Sequence, residues 1–255
     1  TVVTMSENAL YVTYARQESM VAVLGGFLEE KGKDLFPAEL LERVQKLKGY
    51  DLSEQTKLTE VMFLFQKFIN SLSSDEQLRV ENELANRTKD YFAQHARELT
   101  STVIVKINAG NLKIAQTGSV PGNLLNQFSL DEYKGNVRMA TTFSGGGGLF
   151  GFGGGANESG NDVYVLDENL NIVGAVKDLG LGERIYSARF VEDKGYLVTF
   201  RQIDPFYVLD LHDPKNPVRA GELKIPGFSS YLHPITKDLV LGVGQEGSQV
   251  KLSLF

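Results

Sequence analysis

The stretch VYVLD at Val163–Asp167 returns in this chain as FYVLD at Phe206–Asp210. The aspartates that end the two copies are 43 residues apart, at positions 167 and 210. A strand that recurs about every 40–45 residues is typical of a β-propeller blade. The repeat therefore predicts a chain built from small four-stranded sheets arranged around an axis.

The sequence around the second copy contains four short runs rich in β-branched and aromatic residues, each bounded by turn residues. Such runs predict strands. We interpret them as the four strands of one blade, lettered a to d from the axis outward: Ile185–Phe190, Tyr196–Phe200, Phe206–Asp210 and Val218–Lys224. Strands a to c of the next blade are predicted at Phe228–His233, Leu239–Val243 and Val250–Phe255.

The same pattern extends towards the beginning of the chain. One earlier blade is predicted from Leu125–Leu130, Val137–Phe143, Val163–Asp167 and Asn171–Val176, and a first blade from Val2–Met5, Leu10–Tyr14, Thr102–Ile107 and Leu112–Thr117. These runs predict a mainly β fold, a β-propeller fragment of about four blades with the last one incomplete. A fragment of this kind has open sheet edges, which favour self-association.

Two long segments interrupt the blades, and each lies between a strand b and a strand c. We predict the first propeller strands in residues 1–15, an α-helical insertion in 16–100, and the remaining blades in 101–255 with a Gly-rich loop at 144–161. Because neighbouring strands are antiparallel, the b–c and d–a connections share one face. Insertions on one face of a repeat fold usually mark its working face, although they also accumulate where they disturb the fold least.

The larger insertion has two apolar stripes. The first follows helical spacing and the second recurs every seven residues after a capping box of Ser73 and Glu76. The stripes comprise Leu58, Val61, Met62, Phe65, Phe68, Ile69 and Leu72, and then Leu78, Ala85, Phe92 and Leu99. A further helix is predicted over Glu18–Glu30, interrupted at Gly25-Gly26. The stripes either pack on each other, or one of them docks on a partner helix or on the blade surface.

The smaller insertion is dominated by glycine, which favours a mobile loop. It matches GxGxxG, but the dinucleotide motif needs a strand before it and a helix after it, so phosphate binding is not favoured. Leu149, Phe150 and Phe152 at its centre are a candidate partner-binding tip.

Composition excludes several classes of function. The chain has 255 residues and a formal net charge of −6, with no basic stripe, so it is a poor candidate for nucleic-acid binding. It has no cysteine, and no apolar run is long enough to cross a bilayer. We expect no cofactor and no transmembrane segment in this chain; a signal peptide would precede Thr1.

Five charged residues are candidates for binding a ligand at the mouth of the central channel: Asp131, Glu132, Arg184, Arg189 and His233. They follow or flank predicted a strands, which line the channel. An arginine there can hold a carboxylate or sulfate with two hydrogen bonds. The alternative interpretation is structural: the carboxylates cap turns, the histidine bonds a neighbouring blade, and the arginines pair with Asp167 or Asp210.

The other two histidines, His95 and His212, are expected to be structural or on the surface. No second histidine has metal-ligand spacing, so no metal site is predicted. No catalytic residues can be assigned, because no serine, histidine and aspartate combine into a plausible triad.

Seven stretches of the sequence resemble a family of secreted proteins with a C-terminal β-propeller domain distantly related to WD40 repeats. They are Val120–Tyr133, Val137–Thr142, Val163–Asp167, Glu183–Phe190, Tyr196–Pro205, Leu223–Ser229 and Tyr231–Pro234. The resemblance covers about Ser101–Phe255. It implies a WD40-like propeller and an extracellular or cell-surface location, and it carries over no activity and no catalytic residues.

Two functions compete at this point. The first is a non-catalytic binding or scaffold module that engages a protein or polysaccharide through the face that bears the insertions. The second is a glycan-acting hydrolase or lyase at the channel mouth, in which Asp131 and Glu132 do acid–base work and Arg184 stabilises an anion. Propeller folds host both kinds of function. The missing catalytic set favours the first.

Overall fold

A computed structural model describes residues 1–144, 159–200 and 204–255 of the chain. Contacts divide these residues into a β unit, drawn from Thr1–Arg16, Thr100–Ser144 and residues 159–255, and a helical unit, Gln17–Leu99. The domain division at 15/16 and 100/101 stays a prediction.

The β unit is mainly antiparallel sheet, in four separate sheets that follow one another along the chain. The first has the order β1-β2-β3-β4. Its strands are β1 (Val2–Met5), β2 (Ala9–Gln17), β3 (Thr100–Asn108) and β4 (Ile114–Pro121). The chain between β2 and β3 is the helical unit, so this sheet is completed by strands from both sides of that segment.

The second sheet departs from the prediction at its inner edge. Its strands are β5 (Asn123–Leu124), β6 (Leu130–Tyr133), β7 (Asn136–Ser144), β8 (Ser159–Leu166) and β9 (Ile172–Leu179), and both β5 and β6 pair with β7. The prediction of one strand over Leu125–Leu130 is wrong. The Asn126 side chain accepts a 2.9 Å hydrogen bond from the Phe128 amide and starts a 3₁₀ turn at Gln127–Ser129.

The third and fourth sheets repeat the same order. The third consists of β10 (Arg184–Val191), β11 (Lys194–Phe200), β12 (Asp204–Asp210) and β13 (Val218–Ile225), and the fourth of β14 (Phe228–Thr236), β15 (Leu239–Glu246) and β16 (Gln249–Leu254). The repeated stretches therefore fall on β8, with Asp167 just beyond its end, and on β12; each is the third strand across its sheet in pairing order.

Each neighbouring pair of sheets shares an apolar core. Tyr11 and Tyr164 are buried between the first and second sheets, Phe190 and Tyr207 between the second and third, and Leu232 and Phe206 between the third and fourth. Fully burying one such side chain contributes about 1.5–3 kcal/mol. Packing from sheet to sheet therefore makes the β unit one body.

The helical unit contains α1 (Met20–Phe27), a π-helical turn (Leu28–Gly32), α2 (Ala38–Lys48), α3 (Glu54–Asn70) and α4 (Ser74–His95). The predicted capping box of Ser73 and Glu76 at the start of α4 is confirmed. Gly25-Gly26 does not interrupt α1, contrary to prediction. A Cβ at either glycine would meet the side chain of Lys48 or Tyr91, so close packing explains these glycines.

Buried side chains from all four α-helices form one core in the helical unit. In α3, Val61, Phe65 and Ile69 are buried as the helical spacing predicts. The seven-residue stripe predicted for α4 is right in part, because Phe92 is buried and Leu99, beyond the helix, packs against the core. It is wrong at Leu78, which is 61% exposed, whereas Val80 and Leu84 are buried. Among the described residues, the helices lack the combination of length and apolar character that crossing a membrane requires.

Candidate functional site

The connections b–c and d–a emerge from one end of the sheets, which we call the insertion face. Backbone hydrogen bonds tie the bases of both long segments to neighbouring turns: the Gly122 amide donates to the Thr100 carbonyl over 2.8 Å, and the Gly182 amide donates to the Ser159 carbonyl over 2.6 Å. The two segments therefore leave the sheets at anchored positions.

Polar side chains at this end bond one sheet to the next. The Thr142 hydroxyl donates to Asn161 Oδ1 over 2.7 Å and accepts from the Ile185 amide at 3.2 Å. The amide of Asn161, which is fully buried, donates to the Leu179 carbonyl over 2.8 Å. Because buried polar groups are costly unless they are bonded, this network gives the insertion face a rigid base.

Above that base lies a group of three half-buried aromatic rings from two sheets. Tyr186 of β10, Phe200 of β11 and Phe228 of β14 contact one another with ring centroids 5.0–5.3 Å apart. The guanidinium of Arg184 lies 5.0 Å from the Tyr186 centroid, and its Nη2 donates to the Tyr186 hydroxyl over 2.9 Å. We call these four residues the aromatic cluster.

The aromatic cluster was missed by sequence reasoning, apart from Arg184. Tyr186 lies near the start of β10, Phe200 at the end of β11 and Phe228 at the start of β14. A signal did exist, since aromatic residues at the insertion-face ends of adjacent strands are expected to meet. Phe200 and Phe228 belong to different repeats, however, so their contact depends on how two sheets pack.

Asp131 is bound in a buried ion pair. The guanidinium of Arg138 donates from Nε to Asp131 Oδ1 over 2.7 Å and from Nη2 to Oδ2 over 2.6 Å. The Arg138 side chain is 3% exposed, and its Nη1 donates to the carbonyl of Glu192 in the next sheet. The pair therefore joins two blades.

Glu132 points to the other side of the same strand. It accepts a 2.5 Å hydrogen bond from the Ser6 hydroxyl, and its Oε1 lies 3.8 Å from Lys106 Nζ. Burial, with the Glu132 carboxylate nearby, raises the pKa of the Tyr11 phenol. Asp131 and Glu132 do not share a site.

Arg189 and Arg184 lie at opposite ends of β10, about 16 Å apart at roughly 3.3 Å per residue. Arg189 and Asp131 line one cavity, and the Arg189 guanidinium lies 4.7 Å from the Phe128 ring centroid. His233 is near this end: its Nδ1 is 3.4 Å from the Tyr231 hydroxyl, and the Tyr231 ring contacts Phe128 edge-on. The structure brings Arg189, Asp131 and His233 to one region, and leaves Glu132 and Arg184 outside it.

The predicted alternative that the two arginines pair with Asp167 or Asp210 is wrong for the described residues. Asp167 accepts hydrogen bonds from Asn169 and Asn171 within its own turn, and Asp210 accepts from the amide and ring of His212. These aspartates hold their own turns together. The candidate partner-binding residues Leu149, Phe150 and Phe152 lie outside the described residues.

His95 is held between two carboxylates in the helical unit. Its Nδ1 is 2.8 Å from Glu98 Oε2, its Nε2 is 3.2 Å from Glu30 Oε2, and its ring lies on Tyr91. Burial acts to lower the pKa of His95, but hydrogen bonds and charge from Glu98 and Glu30 outweigh it and raise the pKa. Across the described ranges, no three His, Asp or Glu side chains are grouped to hold a metal ion.

Comparison with known proteins agrees with the repeated antiparallel sheets. A sequence model of the beta propeller domain matches residues 1–255. The chain is 48% identical over 254 residues to an uncharacterized protein of Archaeoglobus fulgidus, covering 100% of this chain and 39% of the relative. It is 38% identical over 253 residues to an uncharacterized protein of Methanocaldococcus jannaschii, covering 98% of this chain and 39% of that relative. The chain thus spans about two fifths of the length of these curated relatives.

Proposed function

The chain belongs to the β-propeller domain family, and from this premise we propose that it is a non-catalytic binding module. In this proposal it engages a protein or polysaccharide partner through the insertion face. Its location is extracellular or at the cell surface, in line with the resemblance of Ser101–Phe255 to secreted propeller proteins. The aromatic cluster at that end of the β unit is then part of the binding surface.

The observation that carries the proposal is the aromatic cluster. Tyrosine and arginine are enriched among the residues that dominate binding energy, and they present large contact areas at a small entropic cost. Arg184 is already stacked on Tyr186, so its guanidinium is oriented before a partner arrives. The bonded network of Thr142 and Asn161 beneath it keeps the surface from rearranging.

The competing hydrolase or lyase needs two carboxylates that can exchange protons near one bond. Asp131 is held by Arg138 with two hydrogen bonds, and Glu132 is held on the opposite side of the strand by Ser6 and Lys106. Arg184, assigned to anion stabilisation in that mechanism, lies at the other end of the sheets. No contact among these described residues therefore favours catalysis.

The test measures partner binding by the full chain with and without the aromatic cluster. The wild-type protein and the variant Arg184→Ala/Tyr186→Ala are immobilised, exposed to an envelope extract of the source organism and to a panel of purified polysaccharides, and ranked by dissociation constant. We expect the variant to bind at least about thirtyfold more weakly, which corresponds to the roughly 2 kcal/mol of a binding hot spot.

A control variant on another surface accompanies the test. Arg219→Ala removes an exposed arginine from β13. It is expected to bind as the wild type does. Equal binding by the wild type and the double variant, with matching thermal melts, would show that the insertion face is not the binding surface.

A further inference from the structure

Strands from all four sheets line the cavity that contains Arg189 and Asp131, at the end of the β unit opposite the insertion face. Its volume is about 450 Å³, and it is lined by residues of β1, the 3₁₀ turn and β6, β10 and β14. Cavities of about 300–1,000 Å³ are the usual size for small-molecule sites. It lies towards the other end of β10 from the aromatic cluster, so the two are distinct.

Arg189 is held in a defined position on the wall of this cavity. Its guanidinium lies 4.7 Å from the centroid of Phe128, whose ring is contacted edge-on by Tyr231 at 5.7 Å. The turn that carries Phe128 is itself fixed, because the Asn126 side chain accepts from the Phe128 amide and Thr4 donates to the Gln127 carbonyl. The contacts that hold Arg189 leave its hydrogen-bond donors available.

The charge of Arg189 is not neutralised within the described part of the chain. The cavity wall includes the carboxylate of Asp131, and both of its oxygens accept hydrogen bonds from Arg138. Among the described residues, Arg189 interacts with the ring of Phe128 and with no carboxylate. The cavity therefore presents one uncompensated cation.

Apolar side chains form much of the remaining wall: Val3, Met5, Leu130, Val191 and Pro234. We propose that this cavity binds a carboxylate attached to an apolar group, with the carboxylate on Arg189 and the apolar group against these residues. Arginine binds carboxylates through two parallel hydrogen bonds. A free carboxylic acid and the carboxyl terminus of a peptide share this chemistry.

The experiment measures dissociation constants by NMR titration of the full chain with four probes. Hexanoate is compared with hexanamide, and an acetylated Ala-Leu-Val tripeptide with a free carboxyl terminus is compared with its amidated form. We expect the acids to bind and their neutral partners to bind at least about tenfold more weakly, as loss of a charge-assisted hydrogen bond implies. Preference for hexanoate or for the peptide identifies the source of the carboxylate.

Three variants test the role of Arg189. Arg189→Gln is expected to weaken acid binding about tenfold or more, whereas Arg189→Lys retains part of it because the positive charge remains. Arg219→Gln, on β13, is the matched control and is expected to bind as the wild type does. Thermal melts establish that each variant is folded.

Three results would each overturn the proposal. They are equal binding of acid and amide, unchanged acid binding by a folded Arg189→Gln variant, and no binding of either acid at millimolar concentration. Because the probes and variants differ from those used for the insertion face, this outcome is independent of the proposed partner binding.

Discussion

Replacing Asp131 by Asn leaves the guanidinium of Arg138 buried without its anion. In the native protein this guanidinium makes two hydrogen bonds to Asp131 and one to the Glu192 carbonyl, and it lies 5.0–5.2 Å from the rings of Tyr133 and Phe190. The arginine side chain is 3% exposed, so Asp131→Asn leaves a buried cation without its paired charge.

The expected cost follows from this burial. Removing one partner of a buried ion pair costs about 3–5 kcal/mol. Asp131 itself is 33% exposed, so we expect the lower end, about 3 kcal/mol, from Asp131→Asn. That loss corresponds to a fall in melting temperature of about 6–12 °C for a chain of this size.

The assay is thermal and urea unfolding followed by circular dichroism. The double variant Asp131→Leu/Arg138→Met is expected to recover much of the lost stability, because it removes the buried charge together with its partner. Glu222→Gln, which breaks the exposed pair with Arg219, is the control and should cost less than about 1 kcal/mol. If Asp131→Asn melts within about 1 °C of the wild type, the ion pair does not hold the two blades together.

Two further predictions concern the helical unit. Because the folded pKa of His95 is raised, the stability that its charged form contributes is fully present below the unfolded pKa of about 6.5 and is lost as pH rises through the raised folded value. The difference in unfolding free energy between wild type and His95→Gln should therefore shrink with increasing pH. A constant difference in urea titrations from pH 5 to 8 would contradict this. Leu84→Ala should lower the unfolding free energy by about 2–5 kcal/mol because Leu84 is buried. Leu78→Ala, on the exposed side of the same helix, should change it by less than about 0.5 kcal/mol. Equal effects in urea unfolding would show that Leu78 belongs to the core, as the seven-residue stripe predicted.

Features with a local cause were predicted from the sequence. The strands around Val163–Asp167 and Phe206–Asp210 follow from β-branched and aromatic residues between turn residues. The start of α4 follows from Ser73 and Glu76, which bond each other's backbone within one turn.

The predictions that were wrong concern features that depend on a competing local hydrogen bond or on tertiary packing. The strand predicted over Leu125–Leu130 is interrupted because Asn126 bonds the Phe128 amide, an alternative that propensity does not weigh. The stripe through Leu78 satisfies a seven-residue period, but the core of the helical unit lies along Val80 and Leu84 instead. Either set of positions could form the apolar face of a single helix, and packing against the neighbouring helices determines which set is buried.

The candidate site shows the same division. The sequence by itself determined the repeated sheets, the position of both long segments between second and third strands, and the presence of arginines and carboxylates on the first strands. Only the tertiary structure decided that Asp131 pairs with Arg138 and that Arg184 joins Tyr186 on the insertion face. It also decided that Arg189, at the other end, has no carboxylate partner among the described residues. The physical reason is range: turn residues and strand alternation act over a few residues, whereas these partnerships arise where separate strands meet and polar groups compete for the same partner.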